Sequence, residues 1–294
     1  MIRKELETPV TASVNDILPQ PLVSTEWLAA NLGSPDLKVV DGSWYLPAMN
    51  RDPKAEFLAG HIPGAVYFDI DEIADHSTDL PHTLPSDADF AAKVGALGLS
   101  NGDRIVVYDG GGLFSAPRVR WMLKKYGAAD VAILDGGMPK WKAEGRALEI
   151  GATKPTPAHF SAKLDRTAAV WIDEVAASLK AGSAQVADAR SKPRFDGAMP
   201  EPRTGIPAGH MPGAVNLATT DLVADGRLKP VEALKKAIAA AGLDPSKPVI
   251  TSCGSGVSAT IINLAFEASG YPEPLLYDGS WTEWASKGMP VATA

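Results

Sequence analysis

The chain's single cysteine, Cys253, is the residue best suited to covalent chemistry. It follows an apolar run at residues 249–252 and precedes a helical pattern, so we expect it in a loop between a strand and a helix N-terminus. The loop consists of Gly254, Ser255, Gly256, Val257, Ser258 and Ala259. Backbone N–H groups of such a loop turn inward, and the helix dipole adds positive potential, so an anion is stabilised at the cysteine sulfur. The pattern therefore predicts a reactive thiolate.

Other interpretations of this loop fit the residues less well. An inert lone cysteine is expected inside a strand or on a helix face, not at the start of a Gly-Ser-Gly turn. A nucleotide-phosphate loop would contain GxGxxG or end in Lys followed by Ser or Thr, and neither motif occurs here. A cysteine-dependent phosphatase needs an arginine just after the loop, where this chain has Ala259, Thr260 and Ile261. One cysteine also excludes an internal disulfide and any CxxC zinc or redox site.

The chain contains an internal repeat. Residues 60–66, Gly-His-Ile-Pro-Gly-Ala-Val, return as Gly-His-Met-Pro-Gly-Ala-Val at residues 209–215. A second box, Asp-Gly-Gly at residues 135–137, returns in the same order as Asp-Gly-Ser at residues 278–280, and each copy is followed by a tryptophan. Two landmarks in one order at nearly one offset indicate a duplicated domain of about half the chain.

The repeat and the apolar pattern together predict the fold. The 294 residues suit about two domains at roughly 150 residues each. We expect an N-terminal domain at residues 22–150, a proline-containing linker at 151–165 and a C-terminal domain at 166–294. Predicted strands alternate with helices, among them helices at residues 231–241 and 257–269, which favours α/β domains with mostly parallel sheets flanked by helices. The predicted strands lie at residues 38–41, 105–108, 185–188 and 249–252.

Composition excludes several classes of protein. Hydrophobic residues make up 45% and charged residues 21% of the chain, which is typical of a globular protein. A net charge of −7 without a Lys/Arg-rich tract argues against nucleic-acid binding, and no run approaches the roughly 18 apolar residues of a membrane span. The N-terminal residues have no apolar run and do not resemble a secretory signal. Glu5 and Glu7 argue against a transit peptide, which is usually poor in acidic residues, but a mitochondrial address stays open as the alternative. We therefore expect a cytoplasmic location.

The repeated boxes and the cysteine loop resemble the two-domain rhodanese superfamily over nearly the whole chain, from about Leu22 onward. Within it, the loop that begins at Cys253 is similar to that of the 3-mercaptopyruvate sulfurtransferases. Thiosulfate sulfurtransferases have Cys-Arg-Lys-Gly-Val-Thr instead, and such a cationic loop suits a dianion, whereas an uncharged loop leaves a monoanionic 2-oxo acid to side chains elsewhere. One departure is Ser258, where threonine is more usual; the hydroxyl is kept.

The first copy lacks the cysteine. Aligning residues 104–109 with residues 248–253 places Asp109 opposite Cys253, and an aspartate cannot carry sulfane sulfur. We therefore expect the N-terminal domain to be catalytically silent and to supply the opposite wall of a cleft between the domains. His61 and His210 occur in both copies, including the silent one, so we interpret both as structural turn residues.

The resemblance implies two substrate-binding arginines. One precedes Phe-x-Gly and corresponds to Arg194, and the other belongs to a Glu-Pro-Arg sequence and corresponds to Arg203. A guanidinium stays charged and presents a planar fork to a carboxylate, which suits the role. Arg190 is the fallback if the register is wrong, although a structural role is expected for it.

The resemblance also implies a serine, a histidine and an aspartate beside the cysteine, which correspond to Ser255, His82 and Asp71. A hydroxyl next to the thiolate can relay a proton, with the imidazole polarising it. Alternatives remain at this point: Ser255 bonds only within its turn, Asp71 caps the helix that follows, or His76 takes the place of His82.

The implied reaction is sulfur transfer from 3-mercaptopyruvate, through a persulfide on Cys253, to a thiol such as thioredoxin or to cyanide, with release of pyruvate. No metal or organic cofactor is implied. Three alternatives stay open: a thiosulfate sulfurtransferase with an atypical loop, a non-catalytic persulfide carrier, and an inactive module with a buried thiol.

Overall fold

A computed structural model describes residues 18–294, which form two five-stranded parallel sheets and one two-stranded antiparallel ribbon. The N-terminal residues that argue against a targeting signal, Glu5 and Glu7 among them, lie outside the described residues. Within residues 18–294, none of the helices is long and apolar enough to span a membrane. The predicted α/β architecture with parallel sheets and flanking helices is confirmed.

The first half of the chain builds one sheet in the order β1-β5-β4-β2-β3. Its strands are β1 Leu22–Val23, β2 Leu37–Asp41, β3 Val66–Tyr67, β4 Arg104–Tyr108 and β5 Asp130–Leu134. Its helices are α1 Thr25–Asn31, α2 Pro53–Ala59, α3 Asp87–Ala96, α4 Ala116–Lys125 and α5 Gly137–Ala143, with a 3-10 turn at Pro47–Met49.

The second half repeats this order as β6-β12-β11-β7-β8 and adds the ribbon β9-β10. Its strands are β6 Ala169–Val170, β7 Gln185–Asp188, β8 Val215–Asn216, β9 Val223–Ala224, β10 Arg227–Leu228, β11 Val249–Ser252 and β12 Leu275–Tyr277. Its helices are α6 Ile172–Ala181, α7 Lys192–Phe195, α8 Thr219–Leu222, α9 Val231–Ala240, α10 Ala259–Ala268 and α11 Ser280–Ser286.

The central strands are apolar because both faces of each sheet are covered. In β4, Ile105 and Val107 pack into the core that the two halves share, whereas Val106 and Tyr108 pack into a separate core on the opposite face. Strand β4 pairs with β2 in register, with Val107 beside Val40. Parallel strands buried on both faces appear as continuous apolar runs, which is why the sequence pattern located these strands correctly.

The two predicted helices in the second half are confirmed with small changes at their ends. Helix α9 ends one residue before the predicted limit, and Gly242 follows it with a φ of 79°. Helix α10 begins at Ala259 rather than at residue 257, because Val257 and Ser258 still belong to the cysteine loop. The loop at residues 254–258 therefore connects Cys253 to the N-terminus of α10.

The halves pack against each other through α4 and α10. Val119 and Met122 of α4 lie in one continuous apolar cluster with Ile261 and Leu264 of α10. This shared core joins the inner faces of both sheets, so the carboxyl ends of β4 and β11 come to the same interface. Ligand sites in open parallel sheets lie at those ends.

The repeated histidines occupy equivalent positions in both halves. The ring of His61 stacks on Phe57 with centroids 4.0 Å apart, and its Nδ1 lies 2.8 Å from the Phe57 carbonyl oxygen. The ring of His210 stacks on Phe195 at 3.8 Å, and its Nδ1 lies 2.8 Å from that residue's carbonyl oxygen. The same packing in both copies supports the structural interpretation of both histidines.

Candidate active site

Cys253 lies directly after β11, at the carboxyl edge of the second sheet, and is 2% exposed. Its backbone N–H donates to Ser280 Oγ at 3.2 Å, and its carbonyl oxygen accepts from the N–H of Trp281 at 3.0 Å. Both partners belong to the start of α11. The second repeated box, Asp-Gly-Ser, therefore anchors the backbone of the cysteine.

The loop after the cysteine is fixed by hydrogen bonds at Gly254, whereas several of its later backbone N–H groups have no partner among the described residues. The carbonyl oxygen of Gly254 accepts from the N–H and the Oγ1 of Thr282, at 3.0 and 2.6 Å. Gly256 has a φ of 76°, in the left-handed region that glycine adopts without strain. Among the described residues, the backbone N–H groups of Ser255, Ser258 and Ala259 have no hydrogen-bond partner. They are donors available to an anion in the loop.

The first copy contains an equivalent loop that is already filled. Asp109 Oδ2 accepts from the backbone N–H groups of Phe114, Ser115 and Ala116 at 2.7, 2.9 and 2.8 Å. Asp109 Oδ1 accepts from the N–H of Gly111 at 2.8 Å. This carboxylate is fully buried and acts as a built-in anion for the cradle of its own loop. The backbone N–H groups of this loop therefore bind a negatively charged group that residue 109 itself supplies.

Two side chains close the space beside the silent loop. A Cβ atom at Gly110 would overlap the hydroxyl group of Tyr45, which donates to Glu56 at 2.8 Å. Arg51 forms an ion pair with the same Glu56 at 2.5 Å and stacks over the Tyr45 ring. Tyr45 and Arg51 therefore fill part of the space beside Gly110.

Asp41 is a buried carboxyl group next to this first-domain loop, and it forms no ion pair among residues 18–294. Burial raises its pKa to about 6, against the hydrogen bonds from Ser43. A raised pKa means that the folded protein binds this proton more tightly than the unfolded chain. The resulting cost to stability is fully present above about pH 6 and disappears below the unfolded pKa of 3.8.

We expect Asp41→Asn to raise the free energy of unfolding at pH 7 by about 1–3 kcal/mol, because the amide cannot ionise and its oxygen still accepts from Ser43. Urea unfolding at pH 7 and pH 4 measures the effect. The difference between variant and wild type should shrink at pH 4, where the wild-type carboxyl is largely protonated when folded. An equal difference at both pH values would contradict the assignment.

The structure brings Asp71, His82 and Ser255 together in one hydrogen-bonded line. His82 Nε2 lies 2.8 Å from Asp71 Oδ1, and His82 Nδ1 lies 2.9 Å from Ser255 Oγ, although the histidine and the serine are 173 residues apart. Because a carboxylate only accepts, Nε2 carries the proton, and Nδ1 of the neutral ring then accepts from the serine hydroxyl. The arrangement suits proton movement to and from Ser255.

The ionisation of the pair fits that tautomer. Burial lowers the pKa of His82 more than the hydrogen bond that its Nε2 donates to Asp71 raises it. The hydrogen bond to His82 in turn lowers the pKa of Asp71. At neutral pH the line therefore consists of a carboxylate, a neutral imidazole and a hydroxyl group, which is the resting state of a proton relay.

The three alternatives for these residues do not match the observed contacts. The Ser255 hydroxyl contacts His82 rather than its own turn. Residues 70–72 form a turn and not a helix, and the side chain that caps this turn is Asp69. Its Oδ1 accepts from the N–H groups of Asp71 and Glu72 at 3.1 and 3.3 Å. The exposed His76 ring instead lies 3.2 Å from the carbonyl oxygen of Glu72.

Arg194 and Arg203 both border the cysteine loop. A Cβ atom built on Gly254 would lie 3.2 Å from Arg194 Nη2 and 3.8 Å from Arg203 Nη1. Arg194 is held by Glu201, with Nη2 2.5 Å from its carboxylate. The guanidinium of Arg203 has no hydrogen-bond partner among the described residues, although its carbonyl oxygen accepts from the N–H of Ile206 at 3.4 Å. Burial lowers the pKa of Arg203, and the positive charge of Arg194 acts in the same direction. Of the two, Arg203 has the freer guanidinium fork.

Arg190 has the structural role that was expected of it. Its guanidinium is fully buried and pairs with Asp188 at 2.5 Å and with Glu201 at 2.9 Å. It also donates to the carbonyl oxygen of Gly209 at 2.8 Å. All of its partners are structural groups, and Glu201 is shared with Arg194, so Arg190 fixes the position of the carboxylate that orients Arg194.

A cavity of about 600 Å³ lies next to this site, and Arg203 and Thr282 are the site residues that line it. Its lining comes from both halves of the chain and includes Leu80, Pro81, Arg203, Thr282 and Lys287. The segment before His82 thus forms one wall and the second domain the other. The volume suits a small molecule.

Sequence reasoning missed several residues of this site. Trp44 Nε1 donates to Asp71 Oδ2 at 3.1 Å, and its ring meets His82 edge-on at 4.8 Å. Ser280 and Thr282 hold the cysteine loop, and the only available signal for them was the repeated box at residues 278–280. Arg118, whose Nη2 donates to the carbonyl oxygen of His82 at 2.7 Å, was missed as well. Trp44 and Arg118 had no signal in the sequence, because their partners lie far away along the chain.

The comparisons with known proteins agree with this geometry. Residues 24–144 and residues 172–287 each match the model of the rhodanese-like domain. The chain belongs to the rhodanese family. Both halves are therefore rhodanese domains, and the match explains the duplicated sheets.

Relatives of known activity are similar to this protein over most of its length. The 3-mercaptopyruvate sulfurtransferase of Rattus norvegicus is 42% identical over 276 residues, which cover 92% of this chain and 93% of the rat protein. The thiosulfate sulfurtransferase of Bos taurus is 40% identical over 285 residues, or 94% of this chain and 96% of the bovine protein. Because these identities are so close, overall similarity does not discriminate between sulfur donors.

A solved rhodanese structure has the same arrangement. The crystal structure of SseA from Escherichia coli, described as a 3-mercaptopyruvate sulfotransferase, superposes with a TM-score of 0.83 at 38% identity. The alignment covers 88% of this chain and 98% of the bacterial protein. The similarity therefore extends to the packing of the two domains against each other.

Proposed function

We propose that this rhodanese transfers sulfur from 3-mercaptopyruvate to a thiol or cyanide through a persulfide on Cys253, and releases pyruvate. The observation that carries the proposal is the position of Cys253, which opens an uncharged loop with free N–H donors beside the Ser255–His82–Asp71 line. A sulfur nucleophile, an anion cradle and a proton relay are the three components that such a transfer needs.

The proposed first half-reaction forms one sulfur–sulfur bond and breaks one carbon–sulfur bond. The Cys253 thiolate attacks the donor sulfur, and the electron pair of the broken bond passes to the leaving enolate. The donor's thiol proton moves to the enolate carbon through Ser255, with His82 accepting and returning it. The products are pyruvate and a deprotonated persulfide, so charge and atoms balance. In the second half-reaction, a thiol or cyanide takes the outer sulfur.

The silent domain supports a specific cradle for that outer sulfur. The N–H groups that hold the Asp109 carboxylate include those of Gly111, Phe114 and Ser115. Their counterparts in the repeat are the N–H groups of Ser255, Ser258 and Ala259, which have no hydrogen-bond partner among the described residues. The terminal sulfur of a persulfide extends from Cys253 as the carboxylate oxygens extend from residue 109. We propose that the same kind of cradle stabilises its negative charge.

We propose Arg203 as the principal contact for the donor's carboxylate, because its fork has no partner among the described residues, while Glu201 already occupies Arg194. Replacing Arg203 by methionine should lower kcat/KM for 3-mercaptopyruvate about 10- to 100-fold, mainly through KM, which corresponds to one charged hydrogen-bonding contact. Steady-state pyruvate formation measures this. Lys192→Met, which removes an exposed cation of the same region, should stay within about twofold of wild type. Equal effects of the two variants would refute the assignment.

Intact-mass measurement after addition of 3-mercaptopyruvate tests the proposed function. Because the chain has one cysteine, a gain of one sulfur atom assigns the persulfide to Cys253. Protein pretreated with iodoacetamide is the control and should gain none. No sulfur gain and no pyruvate from untreated protein would overturn the proposal; loading only in the presence of a donor protein would favour a carrier instead.

A thiosulfate sulfurtransferase is the second candidate, supported by the bovine relative. The uncharged loop at residues 254–259 argues against a dianionic donor, since two cations of the typical thiosulfate loop are missing. Comparing kcat/KM for the two donors discriminates the candidates. A clear preference for thiosulfate would reverse the choice of donor.

The remaining assignments belong to the same proposal. We propose domains at residues 22–150 and 166–294 joined by the linker 151–165, with the first domain catalytically silent because Asp109 and Tyr45 fill its loop. A small thiol protein such as thioredoxin is the proposed acceptor, and the cytoplasm is the proposed location.

A further inference from the structure

Arg118 connects the silent domain to the cysteine loop. It lies in the first turn of α4, and its side chain is fully buried. Its Nη2 donates to the carbonyl oxygen of His82 at 2.7 Å and to Asp278 Oδ1 at 2.8 Å, and its Nη1 donates to the carbonyl oxygen of Gly256 at 3.4 Å. One guanidinium therefore contacts the backbone of the histidine and the backbone of the loop that carries Ser255.

The histidine needs such support, because its backbone is in an unfavourable conformation. His82 has a φ of 62°, in the left-handed region that side chains with a Cβ atom rarely adopt. In this conformation the ring reaches Asp71 on one side and Ser255 on the other. A strained residue keeps its conformation only where its surroundings determine it, and the bond from Arg118 to its carbonyl oxygen is such a determinant.

Asp278 orients the guanidinium and fixes the neighbouring chain. While Oδ1 receives Arg118, Oδ2 accepts from the backbone N–H of Leu84 at 2.8 Å. Leu84 is thus tied to the second domain directly, and the backbone of His82 is tied to it through Arg118, which pairs with Asp278. The ion pair is almost fully buried, with both side chains at most 5% exposed, so water does not compete for its hydrogen bonds.

We propose that Arg118 is a positioning residue for the proposed sulfur transfer: it holds His82 and the Gly256 loop in the register that keeps the imidazole on Ser255. The hydrogen bonds of its guanidinium go to Gly256, His82 and Asp278, so it acts through His82 and not on the donor. The role rests on the proposed function, since the proton relay is useful only if the cysteine takes sulfur. The first domain thereby contributes Arg118 to the reaction, although its own loop at Asp109 is not a catalytic site in the proposed function.

Arg118→Lys and Arg118→Met test this role. We expect kcat for pyruvate formation to fall about 10- to 100-fold in both, because a small misplacement of a proton relay has effects of that size. KM should stay within about twofold, since Arg194 and Arg203 are unchanged. The matched control is Arg120→Met: Arg120 lies on the same helix and binds Glu267 of α10 at 2.6 Å, so its loss removes an equivalent contact between domains far from the loop. The control should keep kcat within about twofold.

A second measurement separates positioning from a general loss of structure. In a His82→Ala background, Arg118→Lys should lower kcat by no more than about twofold, because its target is already missing. An equal loss in both backgrounds, or Arg118 variants that match Arg120→Met, would overturn the proposal. If neither Arg118 variant folds, Asp278→Asn replaces them, with the same expected fall in kcat and the same contradicting result. Wild-type protein that forms no pyruvate would instead overturn the proposed function, and this inference with it.

Discussion

Cys253→Ala is expected to abolish sulfur transfer, with pyruvate formation from 3-mercaptopyruvate reduced by at least about 10⁴-fold. Alanine offers no nucleophile, and the chain has no second cysteine that could accept sulfur in its place. The aligned position in the first domain is Asp109, which is fully buried and occupied by four backbone N–H groups. Pyruvate measured against time, together with intact mass, gives the result.

Ser255→Ala is the matched control for this experiment. It keeps the thiol and the loop glycines but removes the hydroxyl that contacts His82. We expect it to gain one sulfur atom and to form pyruvate more slowly than wild type. Turnover by Cys253→Ala above the rate without protein would show that the sulfur does not pass through the cysteine.

Asp109→Ala is expected to lower the free energy of unfolding by about 3–5 kcal/mol. The substitution leaves the N–H groups of Gly111, Phe114, Ser115 and Ala116 without their acceptor, in a loop where Asp109 itself is fully buried. Each of these donors loses a charge-assisted hydrogen bond, and water can replace only part of them. Urea unfolding followed by circular dichroism measures the change.

Two further substitutions define the cause of that loss. Asp109→Asn keeps one acceptor oxygen and should have an intermediate effect, because the amide donors oppose the remaining N–H groups. Asp173→Ala removes an exposed carboxylate from the first turn of α6 and should cost no more than about 0.5 kcal/mol. If Asp109→Ala were as mild as Asp173→Ala, the carboxylate would not be the anion that organises this loop.

Local patterns were sufficient to predict the fold and the reactive cysteine. The strands around Val106 and Ile250 are buried on both faces, so their apolar runs are continuous and easy to locate. Cys253 follows one of these runs and precedes a helix, so its position in the fold is a consequence of the sequence within a few residues of it. The duplication likewise predicts both sheets and places Asp109 opposite the cysteine.

The candidate relay was predictable only in part. The resemblance to the rhodanese superfamily pointed to Ser255, His82 and Asp71, but the residues themselves left His76 and a helix cap as alternatives. Which histidine meets the serine depends on the left-handed backbone of His82 and on contacts 173 residues apart, and neither has a local sequence signal.

The sequence by itself determined the duplicated α/β fold, the single thiol and the loop that presents it, because strands, turns and helix starts depend on neighbouring residues. Only the tertiary structure decided that Trp44 and Arg118 support the relay, that Glu201 occupies Arg194, and that Arg203 keeps a free fork. Those contacts depend on how the two domains dock through α4 and α10. Docking brings together side chains whose separation along the chain carries no information about their distance in space.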